Sequence, residues 1–404
     1  MRKIIVSQVG SRHRYIIPKL LDDLGMLSAL YTDSTCYSFA GRLSAIALKL
    51  GFSSLGLKRL AARKPLLAKK KIYTTDLLFF KLLFVKFFSK DKDYVHKKVY
   101  YTGLGKKFIS WGVRDAGYVY NMYIENIDFL RYCKAKGLKV IIDIYETPMT
   151  YKYLIDEINE YPEIEAFQEY IKPYNDHHKI RMAYMEEVLE LADYYTIPSK
   201  FVIKSLDVFK NFDASKAHLI PYPASLNADV YDYRPKPYKI IWVGGDSLRK
   251  GLIYCAKAAD ILKLKYPQLD FRVIGESNPE IINSKSFSSL NFIGVLNKEQ
   301  LQEEYKSAQA YVFPTLFEGF AGTVIEAASF GCPIITTERA GTDMDVFPAI
   351  YIPAKNVEEI VMAVTKIFED QSFRDTLSQQ TYEYSKNLNP KIYAEELKNF
   401  FNSI

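Results

Sequence analysis

Residues 313–333 read FPTLFEGFAGTVIEAASFGCP, and this stretch decides the fold. Its pattern predicts a strand that ends near Phe313, a glycine-containing loop over residues 318–322, and a helix that runs to Phe330. Gly331 and Pro333 are typical of a helix that has just ended. Strand, loop and helix in this order belong to a βαβ unit, which pairs its strands in parallel.

The loop and the start of the helix suit an anionic ligand. The first turn of a helix carries backbone N–H groups without an intrahelical acceptor and the positive end of the helix dipole, so a diphosphate is favoured there. Gly319 and Gly322 would let a ligand approach the backbone closely. The sequence therefore predicts that a diphosphate binds free amides in this first turn, those of Ala321, Gly322, Thr323 and Val324.

Two carboxylates flank the same loop. Glu318 precedes it, and Glu326 is expected in the first helical turn. Carboxylates only accept hydrogen bonds, so one can bind sugar hydroxyls and the other a ribose diol. A purely structural interpretation also stands, in which both glutamates favour the helix N-terminus electrostatically.

The same alternation of short apolar strands and amphipathic helices extends through both halves of the chain. It predicts two α/β domains with parallel sheets, and 404 residues are enough for two such domains. Between residues 226 and 237 the periodicity stops and two prolines appear, as in a linker. The predicted strands lie at 3–6, 117–120, 139–143 and 194–197 before this linker and at 239–243, 271–274, 291–293, 310–313 and 334–337 after it. The predicted helices lie at 15–24, 126–135, 184–193, 252–263, 297–308, 322–330, 357–369 and 390–401, and Ser199 is a candidate N-cap of one more.

Composition excludes several classes of protein. Apolar residues form 49% of the chain and charged residues 25%, which is not the composition of a disordered or collagen-like protein. No apolar run is long enough to predict a membrane span or a signal peptide. The four cysteines lie far apart and histidines number only 5, so neither a zinc site nor a disulfide framework is expected. A reducing cytoplasm fits these features.

The N-terminal end is strongly cationic. Residues 1–110 hold 22 Lys and Arg against 6 Asp and Glu, a balance of +16, whereas the whole chain has a net charge of +7. Such a surface favours phosphates of lipid headgroups or nucleic acid, although a merely soluble basic face has the same composition. Within the segment 64–110, the twelve residues 77–88 are all apolar except for two lysines. Either an interfacial membrane helix or a core helix satisfies that pattern.

These residues resemble the retaining glycosyltransferases of the GT-B fold, especially glycosyltransferase family 4. Glu318 and Glu326 match the family's E-x7-E signature, followed by Gly331-x-Pro333. The similarity is dense over 239–345 and thinner over 1–225, where residues 192–206 (ADYYTIPSKFVIKSL) match the last strand and helix of the N-terminal domain. Further matches are Val243-Gly244, Lys250-Gly251, Val273-Ile274-Gly275 and Phe292-Ile293-Gly294.

The resemblance implies an architecture. Two Rossmann-like, doubly wound parallel-sheet domains would face a cleft, with an acceptor-binding domain over 1–225, a linker over 226–237 and a nucleotide-sugar domain over 238–385. Residues 386–404 would form a C-terminal helix that crosses back onto the N-terminal domain.

The resemblance also implies roles for single residues. Glu318 would bind the hydroxyls of the donor sugar, and Glu326 would bind the ribose. Lys250 would neutralise the donor diphosphate, and the family's usual arginine is replaced by Gly245, so Arg249 is the candidate substitute. Further donor contacts are implied for Gly10, for the amides of Ala321, Gly322, Thr323 and Val324, and for Ile293 to Leu296 at the nucleobase.

The implied activity is that of a retaining hexosyltransferase. It would move a sugar from a nucleotide-sugar donor to a hydroxyl of a glycan or lipid-linked acceptor, in polysaccharide or lipopolysaccharide synthesis, at the inner face of the plasma membrane. No cofactor or metal is expected, because the D-x-D pairs Asp91/Asp93 and Asp343/Asp345 fit chance or solvated surface better than a metal site. His13 is expected to be an exposed surface histidine. Two alternatives remain, a non-catalytic sugar-nucleotide-binding protein and a nucleic-acid-binding protein, although no nucleic-acid module accompanies the basic segment.

Overall fold

A computed structural model describes residues 3–52, 54–78, 80, 94–122, 126–169, 178–245 and 247–404. Most of the apolar segment 77–88 and the pair Asp91/Asp93 lie outside the described residues. Within the described part of the chain, no helix combines the length and the apolar character that crossing a bilayer requires.

The chain divides into two compact units. The first unit comprises Met1–Ile144, Pro173–Thr196 and Leu206–His218. The second comprises Tyr145–Lys172, Ile197–Ser205 and Leu219–Ile404. Two stretches that precede residue 206 therefore belong to the second unit, which also contains the predicted linker 226–237.

The first unit is built on a seven-stranded sheet in the order β3-β2-β1-β4-β5-β6-β7. The pairs from β3 to β6 are parallel, for example Ile5 opposite Val119 and Val119 opposite Val140. Central strands such as β1 are buried along their whole length, as expected for a sheet covered on both faces. The strands are β1 (Ile4–Ser7), β2 (Leu27–Tyr31), β3 (Ile72–Tyr73), β4 (Tyr118–Asn121), β5 (Lys139–Asp143), β6 (Tyr194–Ile197) and β7 (Ala217–Leu219).

Helices connect these strands along the chain, and those that begin at Thr150 and Lys200 lie in stretches that belong to the second unit. The chain thus follows the βαβ alternation that parallel pairing requires. The helices are α1 (Ile16–Asp23), α2 (Phe39–Lys49), α3 (Leu55–Ala61), α4 (Tyr94–Trp111), α5 (Ile127–Ala135), α6 (Thr150–Glu160), α7 (His178–Leu191) and α8 (Lys200–Leu206).

The second unit is built on a six-stranded, fully parallel sheet in the order β10-β9-β8-β11-β12-β13. Its strands are β8 (Lys239–Val243), β9 (Asp270–Ile274), β10 (Asn291–Gly294), β11 (Ala310–Phe313), β12 (Ile334–Thr336) and β13 (Ile350–Tyr351). Its helices are α9 (Leu252–Lys265), α10 (Pro279–Asn283), α11 (Lys298–Ser307), α12 (Gly322–Ser329), α13 (Val357–Glu369), α14 (Gln371–Ser385) and α15 (Pro390–Ser403).

The predicted pair of doubly wound parallel-sheet domains is confirmed. Strand order reverses between β1 and β4 in the first sheet and between β8 and β11 in the second. Ligands of such sheets bind beyond the carboxyl ends of the strands at this reversal. The C-terminal helix α15 is present, capped by Asn389, whose side chain accepts hydrogen bonds from the first-turn amides. Its crossing onto the N-terminal domain stays a prediction.

Candidate functional site

The site that the sequence predicts around Glu318 lies where the second sheet reverses its strand order. Strand β8 leads into the turn that carries Arg249 and Lys250, and β11 leads into the loop that carries Glu318. The two turns are joined directly, because the Leu316 amide donates to the Arg249 carbonyl at 2.9 Å. Thr315 Oγ1 donates to the same carbonyl at 3.0 Å. The strand order thus brings together residues that are about 70 positions apart in the chain.

Glu318 faces two cations. Its Oε1 lies 2.8 Å from Arg249 Nη1 and 3.9 Å from Lys250 Nζ. Lys250 Nζ also lies 5.4 Å from the centre of the Phe313 ring. All three charged side chains are largely buried, with exposed fractions of 14% to 22%. The site therefore holds a fixed carboxylate and two fixed cations in a poorly hydrated place, where electrostatic interactions are strong.

The backbone on either side of Glu318 is held at three consecutive residues. Arg249 Nη1 donates to the Phe317 carbonyl at 2.9 Å, and the Glu318 amide donates to the Arg339 carbonyl at 2.8 Å. Ser199 Oγ donates to the Gly319 carbonyl at 2.7 Å. The position of the Glu318 side chain is therefore set by the chain around it.

Glycines allow this close packing. A Cβ on Gly319 would lie 1.6 Å from the Tyr145 carbonyl oxygen, and one on Gly251 would lie 2.1 Å from that of Pro314. The expectation that Gly319 leaves room for a ligand is thus corrected, because the Tyr145 backbone occupies that space. Gly322 differs, since a Cβ there would meet nothing within 4 Å.

The four amides at the start of α12 are not all free, which corrects the sequence-based expectation. The Ala321 amide donates to the Ala340 carbonyl at 2.9 Å, Gly322 to Phe320 at 3.0 Å, and Val324 to Ala321 at 2.9 Å. The turn at the start of the helix uses the Gly322 and Val324 donors, and the loop after β12 uses that of Ala321. A ligand would have to compete with these carbonyls or rely on the amide of Thr323.

Glu326 lies in the second turn of α12, because the helix begins at Gly322; its expected place in the first turn is corrected. Its exposed fraction is 8%, and the Tyr305 hydroxyl lies 3.4 Å from its Oε2. Burial raises the pKa of the Tyr305 hydroxyl, so this group stays protonated as a donor. A structural role at the helix N-terminus explains Glu326 poorly at this position.

The predicted nucleobase contacts lie around the end of edge strand β10. Ile293 and Leu296 are half-buried. The Gly275 amide donates to the Gly294 carbonyl at 2.9 Å, and a Cβ on Gly275 would lie 2.1 Å from the Gly244 carbonyl oxygen. Glycines thus connect the end of β10 with the turn after β8.

Gly10 belongs to the first unit, in the loop after β1. Its φ is +72°, and its amide donates to Asp33 Oδ1 at 2.9 Å. Arg63 Nη1 binds the other carboxylate oxygen of Asp33 at 2.8 Å. The loop after the first strand is therefore held by a charged pair that sequence analysis missed.

His13, in the same loop, is not the exposed surface histidine that was expected. It is half-buried, and burial, together with the Arg12 cation, lowers the pKa of His13 to about 3. The backbone of His13, Arg14 and Tyr15 has φ values of 44°, 52° and 62°. Three consecutive left-handed residues without glycine are costly, and such strain is concentrated at functional loops.

Residues 145–160 and 197–205 make contacts with the Glu318 loop that no sequence pattern predicts. The rings of Tyr153, Phe201 and Phe317 pack on one another with centroids 5.3 to 6.2 Å apart. The guanidinium of Arg339 lies 4.7 Å from the Tyr153 ring. The only signal for these contacts was Ser199, which caps α8 as predicted and accepts from the Val202 amide at 3.2 Å.

The pair Asp343/Asp345 is used in ion pairs. Lys200 Nζ lies 2.9 Å from a carboxylate oxygen of each aspartate. Among the residues with described positions, no three His, Cys, Asp or Glu side chains cluster as metal ligands would.

A buried carboxylate, that of Glu157, links helix α6 to other parts of the second unit. The Glu157 side chain has no exposed surface, and it binds the Lys355 ammonium and the Tyr254 hydroxyl. Nearby, Lys257 Nζ donates to the Tyr161 hydroxyl at 2.9 Å. Helix α6 is thus attached by charge and hydrogen bonding to α9 and to the loop before α13.

The site around Glu318 lies in a segment of the chain that matches a known protein family. Residues 227–384 match the family described as "Glycosyl transferases group 1". Poly(glycerol-phosphate) alpha-glucosyltransferase of Bacillus subtilis is 22% identical over 188 residues, which cover 44% of this chain and 27% of that protein. The capsular polysaccharide biosynthesis glycosyltransferase CapM of Staphylococcus aureus is 28% identical over 103 residues, covering 24% and 27%. The chain thus spans about a quarter of the length of these two relatives.

Solved structures extend the similarity to the whole fold. Sucrose-phosphate synthase of Thermosynechococcus elongatus has a TM-score of 0.68 at 15% identity, covering 100% of this chain and 99% of that one. Anabaena HepE in complex with UDP has a TM-score of 0.63 at 10% identity, with complete coverage of both. WaaG, a glycosyltransferase involved in lipopolysaccharide biosynthesis, has a TM-score of 0.60 at 13% identity, covering 97% and 98%. The chain therefore has the GT-B fold, and its residues 227–384, which include the site around Glu318, match a glycosyltransferase family.

Proposed function

We propose that this protein is a retaining glycosyltransferase of the family 4 type. It moves a sugar from a nucleotide-sugar donor to a hydroxyl group. One observation carries the proposal: Glu318 lies beside Arg249 and Lys250 at the strand-order reversal of the segment that matches glycosyl transferases.

The two cations suit the leaving group. When the bond between the sugar and the diphosphate breaks, negative charge grows on the diphosphate, and fixed cations that bind it more tightly at that stage lower the barrier. Arg249 and Lys250 supply that charge. Gly245 stands where the family usually has an arginine, and Arg249 serves in its place. The Thr323 amide and the dipole of α12 add further positive potential.

The two carboxylates suit the rest of the donor. In this proposal Glu318 exchanges part of its pairing with Arg249 for hydroxyls of the donor sugar. Glu326, which accepts a hydrogen bond from the Tyr305 hydroxyl, also accepts from the ribose. Residues 293–296 complete the donor contacts within the second unit. Retention is compatible with a front-face reaction, in which the departing phosphate takes the acceptor proton, and with a double displacement.

The acceptor is proposed to be a glycan or lipid-linked molecule at the inner face of the plasma membrane. The balance of +16 over residues 1–110 favours an anionic membrane surface. Relatives and neighbours named for capsular polysaccharide and lipopolysaccharide biosynthesis support the same class of product. The HepE complex with UDP supports a nucleotide-sugar donor. No metal or other cofactor is proposed.

The first experiment is a screen of nucleotide sugars by thermal unfolding. A donor at 100 times its Kd stabilises the folded state by about 2.7 kcal/mol, so a true donor raises the Tm while other nucleotide sugars do not. Transfer from that donor to a membrane extract is then measured as release of the nucleoside diphosphate.

Matched variants test the site. Glu318→Gln keeps the shape of the side chain and is expected to lower transfer about 100-fold with an unchanged far-UV spectrum. Glu299→Gln, at an exposed position of α11, serves as the control and leaves transfer unchanged. Stabilisation by a nucleotide sugar without any transfer would replace the proposal by the non-catalytic binding protein. Salt-sensitive retention of RNA, with no response to nucleotide sugars, would point to nucleic-acid binding instead.

A further inference from the structure

An open basin on the first unit lies at the edge of the sheet opposite the one where ligands of this fold are expected. It forms where β2 begins, before β3 and in the loop that leads into β4, at the amino ends of these parallel strands. Its volume is about 740 Å³. The basin is lined by Ser28, Lys70, Lys71, Tyr73, Trp111, Arg114 and Asp115.

Arg114 is held in an unusual backbone conformation. Its φ is +51°, in the left-handed region that favours glycine. Its guanidinium lies 4.7 Å from the centre of the Tyr73 ring, and the residue is exposed. Such strain is sustained only when the surrounding structure requires the residue that carries it. Here it places an exposed guanidinium over an aromatic wall of the basin.

The charges in the basin leave two cations available. Lys71 is paired with Asp22, and the Ser28 hydroxyl donates to the Asp115 carboxylate, which lowers the pKa of Asp115. Within the described part of the chain, no carboxylate oxygen lies within 4.0 Å of a side-chain nitrogen of Lys70 or Arg114. These two lining residues therefore each offer a positive charge in a basin whose carboxylate, Asp115, already has a partner.

The aromatic wall is rigid. Tyr73 and Trp111 have ring centroids 5.5 Å apart, and Trp111 stacks on Phe108 at 5.4 Å. The buried Tyr31 packs edge-on against Trp111 at 5.1 Å, and its hydroxyl donates to the Gly112 carbonyl at 3.0 Å. The loop that carries Arg114 thus begins at a residue held in place by this hydrogen bond. Less conformational entropy is then lost when a ligand binds to the loop.

We propose that this basin is an anion-binding site for a phosphate ester, held mainly by Arg114 and Lys70. A guanidinium supplies paired donors to phosphate oxygens, and the ammonium adds a point charge. The phosphate belongs either to a lipid headgroup or to a soluble molecule. The site is separate from the Glu318 site and does not depend on the proposed transfer reaction.

The fluorescence of Trp111 reports on the basin. The chain has 2 tryptophans, and the other, Trp242, is buried with an exposed fraction of 1%. One arm titrates the protein with inorganic pyrophosphate, and the other with vesicles of phosphatidylcholine containing phosphatidylglycerol. Trp111→Phe identifies which part of the signal belongs to the basin, and Arg249→Ala removes any contribution from the Glu318 site.

Arg114→Gly is the decisive variant, because glycine suits the positive φ and the protein should fold with a Tm no lower than that of the wild type. We expect it, and Lys70→Ala, to weaken binding about tenfold each. Lys106→Ala, an exposed lysine of α4 outside the basin, should bind as the wild type does. A response to pyrophosphate assigns a soluble ligand, and a response to vesicles alone assigns a lipid headgroup. The proposal is overturned if neither probe changes the Trp111 signal, or if both bind Arg114→Gly as tightly as the wild type.

Discussion

The hydroxyl of Ser199 donates a hydrogen bond of 2.7 Å to the carbonyl oxygen of Gly319, the residue after Glu318. The hydroxyl oxygen of Ser199 also accepts a hydrogen bond from the Val202 amide and so caps helix α8. One buried side chain therefore serves both the start of a helix and the loop of the candidate site.

Replacing Ser199 by alanine leaves the Gly319 carbonyl and the Val202 amide without this partner. We expect the free energy of unfolding to fall by about 1–2 kcal/mol, measured by urea denaturation. Ser199→Thr keeps the hydroxyl and should retain most of the stability. Equal losses in the two variants would show that packing, and not the hydrogen bond, matters at this position.

Gly251 tests how tightly the two turns of the site pack. Its φ is +68°, and an added Cβ would lie 2.1 Å from the Pro314 carbonyl oxygen. We expect Gly251→Ala to lower the free energy of unfolding by at least about 3 kcal/mol, because conformational strain and a backbone clash add. Gly51 is the matched control, with φ +88° and no atom within 4 Å of the added Cβ. Gly51→Ala should cost only about 1 kcal/mol.

The Glu157 carboxylate neutralises the charge of the partly buried Lys355 ammonium. Glu157→Gln removes its charge, so Lys355 loses its ion pair while the side-chain volume is kept. We expect a loss of about 2 kcal/mol in the free energy of unfolding that changes little in high salt, since buried pairs are poorly screened. Exposed Glu163→Gln should change stability by less than about 0.5 kcal/mol. A salt-dependent loss, or none, would contradict a buried ion pair.

The half-buried His13 makes stability depend on pH. Its pKa is about 3 in the folded protein against an ordinary value of 6.5, so between these values the unfolded chain binds a proton that the folded chain does not. This difference in proton binding does not affect stability above pH 6.5, and it lowers the free energy of unfolding increasingly as the pH falls towards 3. Between pH 7.5 and 5.0 the wild type should lose up to about 2 kcal/mol more than His13→Gln in urea denaturation. A His13 ring signal that titrates between pH 5 and 7.5 in NMR spectra would refute this.

Regular patterns made most of the fold predictable. Strands β5, β6, β8 and β11 occupy the predicted residues, and helix α13 has the predicted limits. Strand β2 was missed because LSALY at 27–31 lacks β-branched residues, although its neighbours in the sheet bury it. Strands β3 and β13 have 2 residues each, which is too few for a periodic signal.

The sequence predicted only the part of the candidate site that lies in the turns after neighbouring strands of one sheet. Local spacing identified Glu318, and family resemblance identified Lys250 and Arg249. The contacts of Tyr145 and Ser199 with Gly319 join residues more than 100 positions apart, and no local pattern encodes such a contact. The Ala321 and Val324 amides were misjudged because a helix N-terminus predicts unpaired donors, whereas the Ala340 carbonyl after β12 accepts from Ala321 and the Ala321 carbonyl accepts from Val324.

The second unit is encoded in three separate stretches, because Tyr145–Lys172 and Ile197–Ser205 fold with Leu219–Ile404. A recombinant fragment cut at residue 227, where the family match begins, would discard the Tyr145 carbonyl, the Ser199 hydroxyl and the Glu157 carboxylate together. Chimeras that exchange only the sequence after this point between relatives would inherit mismatched partners for Gly319 and Lys355. Domain shuffling in this protein is thus constrained to exchanges that carry the earlier stretches along.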